Sequence, residues 1–366
     1  MATCSRSSTS RRCSPRGGSP SRPATPRSWS NALPLASRPS VATVTLSFPS
    51  SPLLPPGSGE NTKDLPVHLF WPFMVSLSAL RAPLLAWCKA QSRRRVTVIV
   101  SGLFTGWTQP LAPEHGVPHV TFSPSNALHL ALAHSLWRRP GDDADEPHVA
   151  GDEVSEAIRQ FFLWNLASEC FVVNSFAVLD GACVERALPD LKAKRVFVCT
   201  SASGRSTRRR RRAGAEPGGF LVGGEGGTAV PEGFEAATAS RGMVIRGWAP
   251  QVEILRHRDV GWFLTHRGWN SVLEAAAALL AWPMGTDQFA NACLVAEAGV
   301  AVPVAEGAEA VPDAGQMANA IAAAVGEEGH AVRMRAAALR KKAAAAAVAE
   351  GGSSHGDLED FGAPAR

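Results

Sequence analysis

Between Trp248 and Gln288 the chain reads WAPQVEILRHRDVGWFLTHRGWNSVLEAAAALLAWPMGTDQ. This stretch prescribes a parallel αβ unit. The apolar run Val260–Leu264 is a strand, which ends at Thr265-His266, passes Gly268 and opens a helix at Trp269-Asn270-Ser271. A strand that feeds a helix through a glycine leaves free backbone N–H groups and a helix dipole facing incoming negative charge. Glu274 lies one helical turn beyond Asn270 on the same face, where its carboxylate can accept two hydrogen bonds from a diol. Trp248 offers a flat face for a base, and Asp287-Gln288 offer polar groups for hexose hydroxyls. Taken singly, each residue also fits an ordinary αβ unit with core tryptophans and a satisfied buried histidine. As an ordered set they point to a nucleotide-sugar site.

The segment resembles the signature box of the plant UDP-dependent glycosyltransferases: WAPQ, the histidine of THRGWNS, the following glutamate, WP and the closing DQ fall in family order. SGLFTGWTQPLA, FLWNL and VVNSF are similar to the acceptor-binding half of flavonoid-type members. The resemblance implies an α/β, GT-B-like fold with two Rossmann-like domains facing a cleft. It implies that Trp248 stacks on uracil, with Ala249 and Gln251 at base and ribose and Glu274 on the ribose hydroxyls. His266, Asn270 and Ser271 would face the diphosphate, Trp269 the sugar side, and Asp287 and Gln288 the sugar hydroxyls. The implied donor is a UDP-sugar, glucose first, and the acceptor a small plant phenolic. No cofactor and no metal are implied.

Along the 366 residues, five segments are expected. Residues 1–63 are a Ser/Pro/Arg-rich leader with no acid before Glu60 and too little apolar sequence to offset chain entropy. Residues 64–199 form an N-terminal acceptor domain, 200–229 an Arg/Gly-rich linker, 230–350 the UDP-sugar domain and 351–366 a tail. The expected strands are Val67–Trp71, Val96–Val100, His119–Phe122 and Phe171–Phe176. Expected helices are Ala82–Ala90, Gln109–Glu114 and Glu153–Leu166. The last of these carries Val154, Ile158, Phe161 and Phe162 on one face and Asp152 as its cap. Both halves look incomplete. Residues 200–229 lack the opening strand–helix–strand that the family has there, and a parallel sheet short of strands exposes edges and apolar faces.

Partners are narrowed by charge and spacing. The formal +5 is concentrated in arginines of unstructured-looking segments. The run Arg208–Arg212 has no interleaved aromatics for base stacking, so it reads as a solvated linker and no nucleic-acid partner is expected. Seven scattered cysteines with no CxxC suggest neither a disulfide framework nor a zinc site. Asp143-Ala144-Asp145 matches a DxD metal pattern but sits in an acidic loop. No apolar run is expected to span a membrane. A cytoplasmic monomer is expected, although the acid-poor leader is also like a plastid transit peptide.

The resemblance also exposes a gap. The family's general base is a histidine in the loop after the first strand, oriented by an aspartate. Here those positions fall near Ser78 and Gly102, and a serine hydroxyl needs its own activator to serve as base. His68, His115, His119, His129 and His134 read better as surface or core histidines. Arg267 stands where the family usually has a small residue, so it can assist or crowd a diphosphate. Three residues are missing between Glu274 and Trp282, amounting to ~300° of helical rotation and ~4.5 Å of rise. Either the helix shortens or Asp287-Gln288 shifts. Two readings stay open: an inverting UDP-glycosyltransferase, and a non-catalytic UDP-sugar-binding remnant.

Overall fold

The computed structural model describes residues 44–362 except 45, 49, 59–61, 63–64, 92–94, 139–148, 150, 186–190, 192–193, 200–218, 225–229, 248, 258, 276 and 349–351. The readings of Asp143-Ala144-Asp145, Arg208–Arg212 and Trp248 lie outside the described residues. The chain divides into two compact units, Met1–Thr121 with His134–Glu169, and Phe122–Ala133 with Cys170–Arg366. All paired strands whose register is described run parallel, as an α/β fold requires.

The first unit opens with a 3-10 turn, Val67–Leu69, followed by α1 (Phe70–Ser76), a second 3-10 turn, Leu77–Leu80, and α2 (Arg81–Ala90). The strand expected over Val67–Trp71 is therefore helical. A short apolar run can carry either period, and packing decides. Phe70 and Trp71 both meet the Phe104 ring edge-on, at 5.7 and 5.4 Å, while Phe73 is buried. Pro72 falls in the first helical turn, where a missing N–H is tolerated. The expectation about membrane-length runs also needs correction: Val67–Ala90 is long and apolar enough to cross a membrane by length and composition. Of Asp, Glu, Lys and Arg it contains only Arg81 and Lys89. The 3-10 turn at Leu77–Leu80 divides it in two.

β1 (Ile99–Gly102) begins three residues later than the expected strand at Val96. It leads through a 3-10 stretch, Leu103–Thr108, to α3 (Leu111–His115) and β2 (His119–Ser123). The 3-10 stretch lies against α5 (Glu153–Asn165), which begins where its cap was expected: the Asp152 carboxylate accepts from Ser155 N at 2.7 Å. Ile158, Phe161 and Phe162 are buried, and Val154 is half-buried. Phe162 stacks on Trp137 at 5.7 Å and meets His134 at 5.1 Å. Gly106 is what permits this approach, because a Cβ there would lie 2.1 Å from the Phe161 carbonyl oxygen.

Beneath this aromatic layer His119 is buried at the start of β2. Its Nε2 faces Ser101 Oγ at 3.0 Å and Thr108 Oγ1 at 3.1 Å, and its Nδ1 faces Ser168 Oγ at 2.8 Å. Thr121 Oγ1 joins Ser168 Oγ at 2.8 Å, and Asn165 Nδ2 donates to the Leu103 carbonyl at 2.7 Å. Burial pulls the imidazole pKa down to about 4, so it is neutral in the native state at pH 7.

α4 (Ala127–Arg138), of which residues up to Ala133 belong to the second unit, starts from Asn126, whose side-chain oxygen accepts from His129 N at 2.8 Å. β3 (Cys170–Val173) pairs with β4 (Arg195–Val198), and α6 (Ala177–Glu185) connects them. Strand order in this sheet is β1-β2-β3-β4. The segment 200–229, read as linker, carries β5 (Phe220–Gly224), which α7 (Phe234–Thr238) joins to β6 (Gly242–Arg246) in a two-stranded parallel sheet. Of this strand–helix–strand only β5 falls within 200–229; α7 and β6 lie beyond that segment.

After α8 (Gln251–Leu255) come β7 (Trp262–Thr265), α9 (Trp269–Glu274), β8 (Ala278–Ala281), α10 (Asp287–Glu297) and β9 (Ala301–Pro303), with strand order β7-β8-β9. The missing three residues are accommodated by shortening the helix. Glu274 is its last residue and Ala275 is already extended (φ −67°, ψ 126°). Alanines favour helix, but Ala278, Leu279, Leu280 and Ala281 are all buried in β8, and that burial overrides propensity. Behind β8, Val295, Val300, Val332 and Ala336 complete the core. The last two belong to α12 (Glu327–Val348), which follows α11 (Ala314–Val325) and its Asp313–Gln316 capping box. α13 (Ser353–Gly362) closes the described chain against β4: Asp357 accepts from Val198 N at 2.7 Å and Ser354 Oγ donates to Val198 O at 3.1 Å.

Candidate functional site

The turn between β7 and α9 is held by two residues outside it. Arg267 N donates to Thr265 Oγ1 at 3.0 Å, and the Arg267 carbonyl accepts from Asn291 Nδ2 at 2.7 Å. Arg267 itself adopts φ +69°, a left-handed conformation uncommon outside glycine. His266 is exposed and lies across the glycine: a Cβ on Gly268 would sit 3.0 Å from His266 Nε2. Trp269 is buried at 3% exposure, and its indole N–H donates to the Asn174 carbonyl at 2.5 Å. Asn270 is exposed, with its side-chain oxygen 3.4 Å from Asn174 Nδ2. Ser271 Oγ accepts from Gln251 Nε2 at 3.3 Å, so the beginnings of α8 and α9 meet. Ala249 accepts from Gln251 N at 2.8 Å in the turn before α8. Glu274 is half-buried; burial raises its pKa and the nearby Arg256 charge opposes that shift.

Asp287 and Gln288 open α10. Thr286 before them sits at φ +53°, ψ −130°, a strained conformation for a β-branched residue. Gln288 Oε1 accepts from Met284 N at 2.8 Å and Gly285 N at 3.2 Å, which fixes the loop from β8. Asp287 Oδ2 accepts from Ser125 Oγ at 2.9 Å and from Asn291 Nδ2 at 3.1 Å. Asn126 Nδ2 also donates to Asn291 Oδ1. Asn291 therefore bonds both to the Arg267 carbonyl and to the Asp287 carboxylate, which ties the β7–α9 turn to the start of α10. Asp287 also acts on His129, whose pKa burial lowers and the Asp287 charge raises. Ser125, Asn126 and Asn291 were not singled out from sequence. The only signal was SPSN before a helical run, an N-cap pattern that locates a helix start without naming what it packs on.

Arg267 is the largest fully buried side chain among the described residues, at 0% exposure. Among the described residues its Nε and Nη1 find no hydrogen-bond partner. Burial lowers its pKa to about 10, so it stays protonated at neutral pH. Ser78 lies in the 3-10 turn after α1, and Gly102 closes β1 with its carbonyl accepting from Thr105 Oγ1 at 2.8 Å. These two positions supply neither an imidazole nor a carboxylate. Among the described residues no group of three or more His, Cys, Asp or Glu side chains could hold a metal ion.

The family model for UDP-glucoronosyl and UDP-glucosyl transferase matches residues 228–338, the stretch that carries the β7–α9 turn and both signature ends. UDP-glycosyltransferase 89B2 of Stevia rebaudiana is 33% identical over 419 residues, covering 92% of this chain and 89% of the relative. Flavonol 3-O-glucosyltransferase UGT89B1 of Arabidopsis thaliana is 34% identical, covering 86% and 82%. The first alignment is longer than the 366-residue chain, so that relative has internal segments this chain lacks. Among solved structures, Arabidopsis thaliana UGT89C1 complexed with quercetin superposes with a TM-score of 0.69 at 28% identity, covering 91% of this chain and 88% of that one. Parallel sheets, signature turn and near full-length similarity agree: the chain belongs to the UDP-glycosyltransferases and has their GT-B, two-Rossmann-like fold class.

Proposed function

We propose that this chain binds a UDP-sugar through the segment 248–288 and transfers the sugar, with inversion, to a hydroxyl of a plant phenolic of the flavonoid type. The observation that carries this reading is the polar lattice through Asn291, whose side-chain amide donates both to the carbonyl of the anion-facing turn and to the Asp287 carboxylate. In the proposed arrangement Trp248, Ala249 and Gln251 take base and ribose, and Glu274 accepts from the ribose diol. His266, Trp269, Asn270 and Ser271 line the diphosphate and sugar, with Asp287 and Gln288 on the sugar hydroxyls. Exposed His266 and Asn270 at the turn favour this; buried Trp269 would act by shaping the turn rather than by offering its ring. The donor domain is taken as residues 230–350 and the acceptor domain as 64–199, working as a cytoplasmic monomer without metal. Relatives named for a flavonol 3-O-glucosyltransferase activity and for a UDP-L-rhamnose complex support a flavonoid acceptor and leave glucose as one of two candidate sugars.

A specific observation favours a second reading. Ser78 and Gly102 leave the acceptor hydroxyl without a general base, a loss of on the order of 10²–10⁴ in rate. On that reading the chain binds UDP-sugars without turning them over. Incubation of the purified protein with UDP-[¹⁴C]glucose and a flavonol panel, beside calorimetry with UDP, separates the two. Turnover lost in His266→Ala supports the enzyme, and UDP binding without turnover supports the binder. Absence of any UDP affinity in folded protein removes both.

A further inference from the structure

Arg267 carries a charge that the described structure does not neutralise. Two of its guanidinium nitrogens have no hydrogen-bond partner, and no ion pair to it occurs among the described residues. Nor can the residue easily leave. Its N–H is bonded to Thr265 and its carbonyl to Asn291, with the backbone fixed at φ +69°. Burying an ionised group without a counter-charge is strongly unfavourable, and a folded chain keeps such a group where something else compensates. Burial alone pulls its pKa down, with no acid opposing that shift, which agrees with the missing counter-charge.

We propose that Arg267 is a donor-binding residue of this chain, its guanidinium providing the counter-charge for the phosphates of a nucleoside diphosphate bound at the β7–α9 turn. The inference rests on the UDP-sugar reading above and adds to it a residue and a thermodynamic signature. Guanidinium and phosphate attract through the low-dielectric turn, and each leaves water less exposed to charge when the other is present. Ligand-free protein carries the penalty of the unpaired charge, and bound phosphate removes it. Replacing the arginine by an apolar side chain of similar volume should therefore stabilise the empty protein while weakening its hold on phosphate.

Calorimetry of the full chain with uridine, UMP and UDP, in the wild type, Arg267→Met and Arg267→Lys, tests this. Thermal melts of each protein with and without pyrophosphate accompany it. Expected are an Arg267→Met melting temperature at or above the wild type without ligand, UDP affinity about tenfold or more lower, and uridine affinity unchanged. Arg267→Lys should lie between the two, and pyrophosphate should raise the wild-type melting temperature more than that of Arg267→Met. Equal UDP affinity in wild type and Arg267→Met overturns the inference and leaves the UDP-sugar reading standing. An Arg267→Met protein that folds less well than the wild type also overturns it, because the charge would then be a structural requirement. A folded wild type with no affinity for uridine or UDP sinks the underlying reading as well.

Discussion

Lowering the pH should cost this protein stability through His119, by an amount the structure allows to be worked out. The imidazole titrates at about 4 when folded and near its ordinary 6.5 when unfolded. Between these values the unfolded chain binds the extra proton and the native chain does not. Stability is thus fully present above pH 6.5 and is lost as pH falls toward 4. The full span is about 3 kcal/mol, and about 2 kcal/mol of it is lost by pH 5. At 3% exposure His119 has little solvent to screen the effect. Urea melts followed by tryptophan fluorescence, which samples buried Trp107 and Trp137 of the same unit, should be run at pH 7 and pH 5 on wild type and His119→Gln. The variant is less stable at pH 7, because Ser101, Thr108 and Ser168 lose their partner, but it lacks the titrating group. Wild type should lose about 2 kcal/mol more than the variant on acidification. Other titrating groups, such as Asp180 and Glu274, cancel in this difference. Equal losses in the two proteins would refute the assignment of a neutral, buried His119.

Three more outcomes are expected. Gly106→Ala forces a methyl against the Phe161 carbonyl and should destabilise the first unit by about 1–3 kcal/mol in denaturant melts; an unchanged midpoint would contradict the close approach. Asp287→Ala removes the acceptor of Ser125 and Asn291, and should lower affinity for UDP-glucose while leaving UDP affinity within about twofold, as read by calorimetry. A double variant, Ser78→His with Gly102→Asp, restores an imidazole and a carboxylate at the two empty positions. It should raise flavonol glucosylation by on the order of 10²-fold or more over the wild type, and no gain would show that the dyad's absence is not what limits turnover.

Local signals carried as far as their physics is local. Asp152 and the stripe Ile158, Phe161, Phe162 announced α5, because a cap and a helical period are written into a dozen consecutive residues. The β7–Gly268–α9 order was equally legible. Val67–Trp71 was not, since five apolar residues fit either period and the distant Phe104 and Trp137 rings decided the outcome. Ala275–Ala278 left two outcomes open, and the burial of β8 between its two neighbours selected the shortened helix over local propensity. In the candidate site the signature residues were visible, but Asn291 as their brace and Arg267 as a fully enclosed cation were not. Sequence shows which groups exist along a segment, while enclosure depends on what folds over them.

The last helix, finally, bears on how the protein behaves in the tube. Cys199 N donates to Val173 O toward β3, so Val198, one residue earlier, turns its N–H and C=O the other way, and both are met by Asp357 and Ser354 of α13. β4 is the outermost strand of its sheet, and unmet backbone groups there are a template for chain-to-chain pairing. Trimming α13, or straining it with a bulky carboxy-terminal fusion, would uncover that template. Such material is expected to turn cloudy on concentration or gentle warming, so an affinity tag is better placed elsewhere.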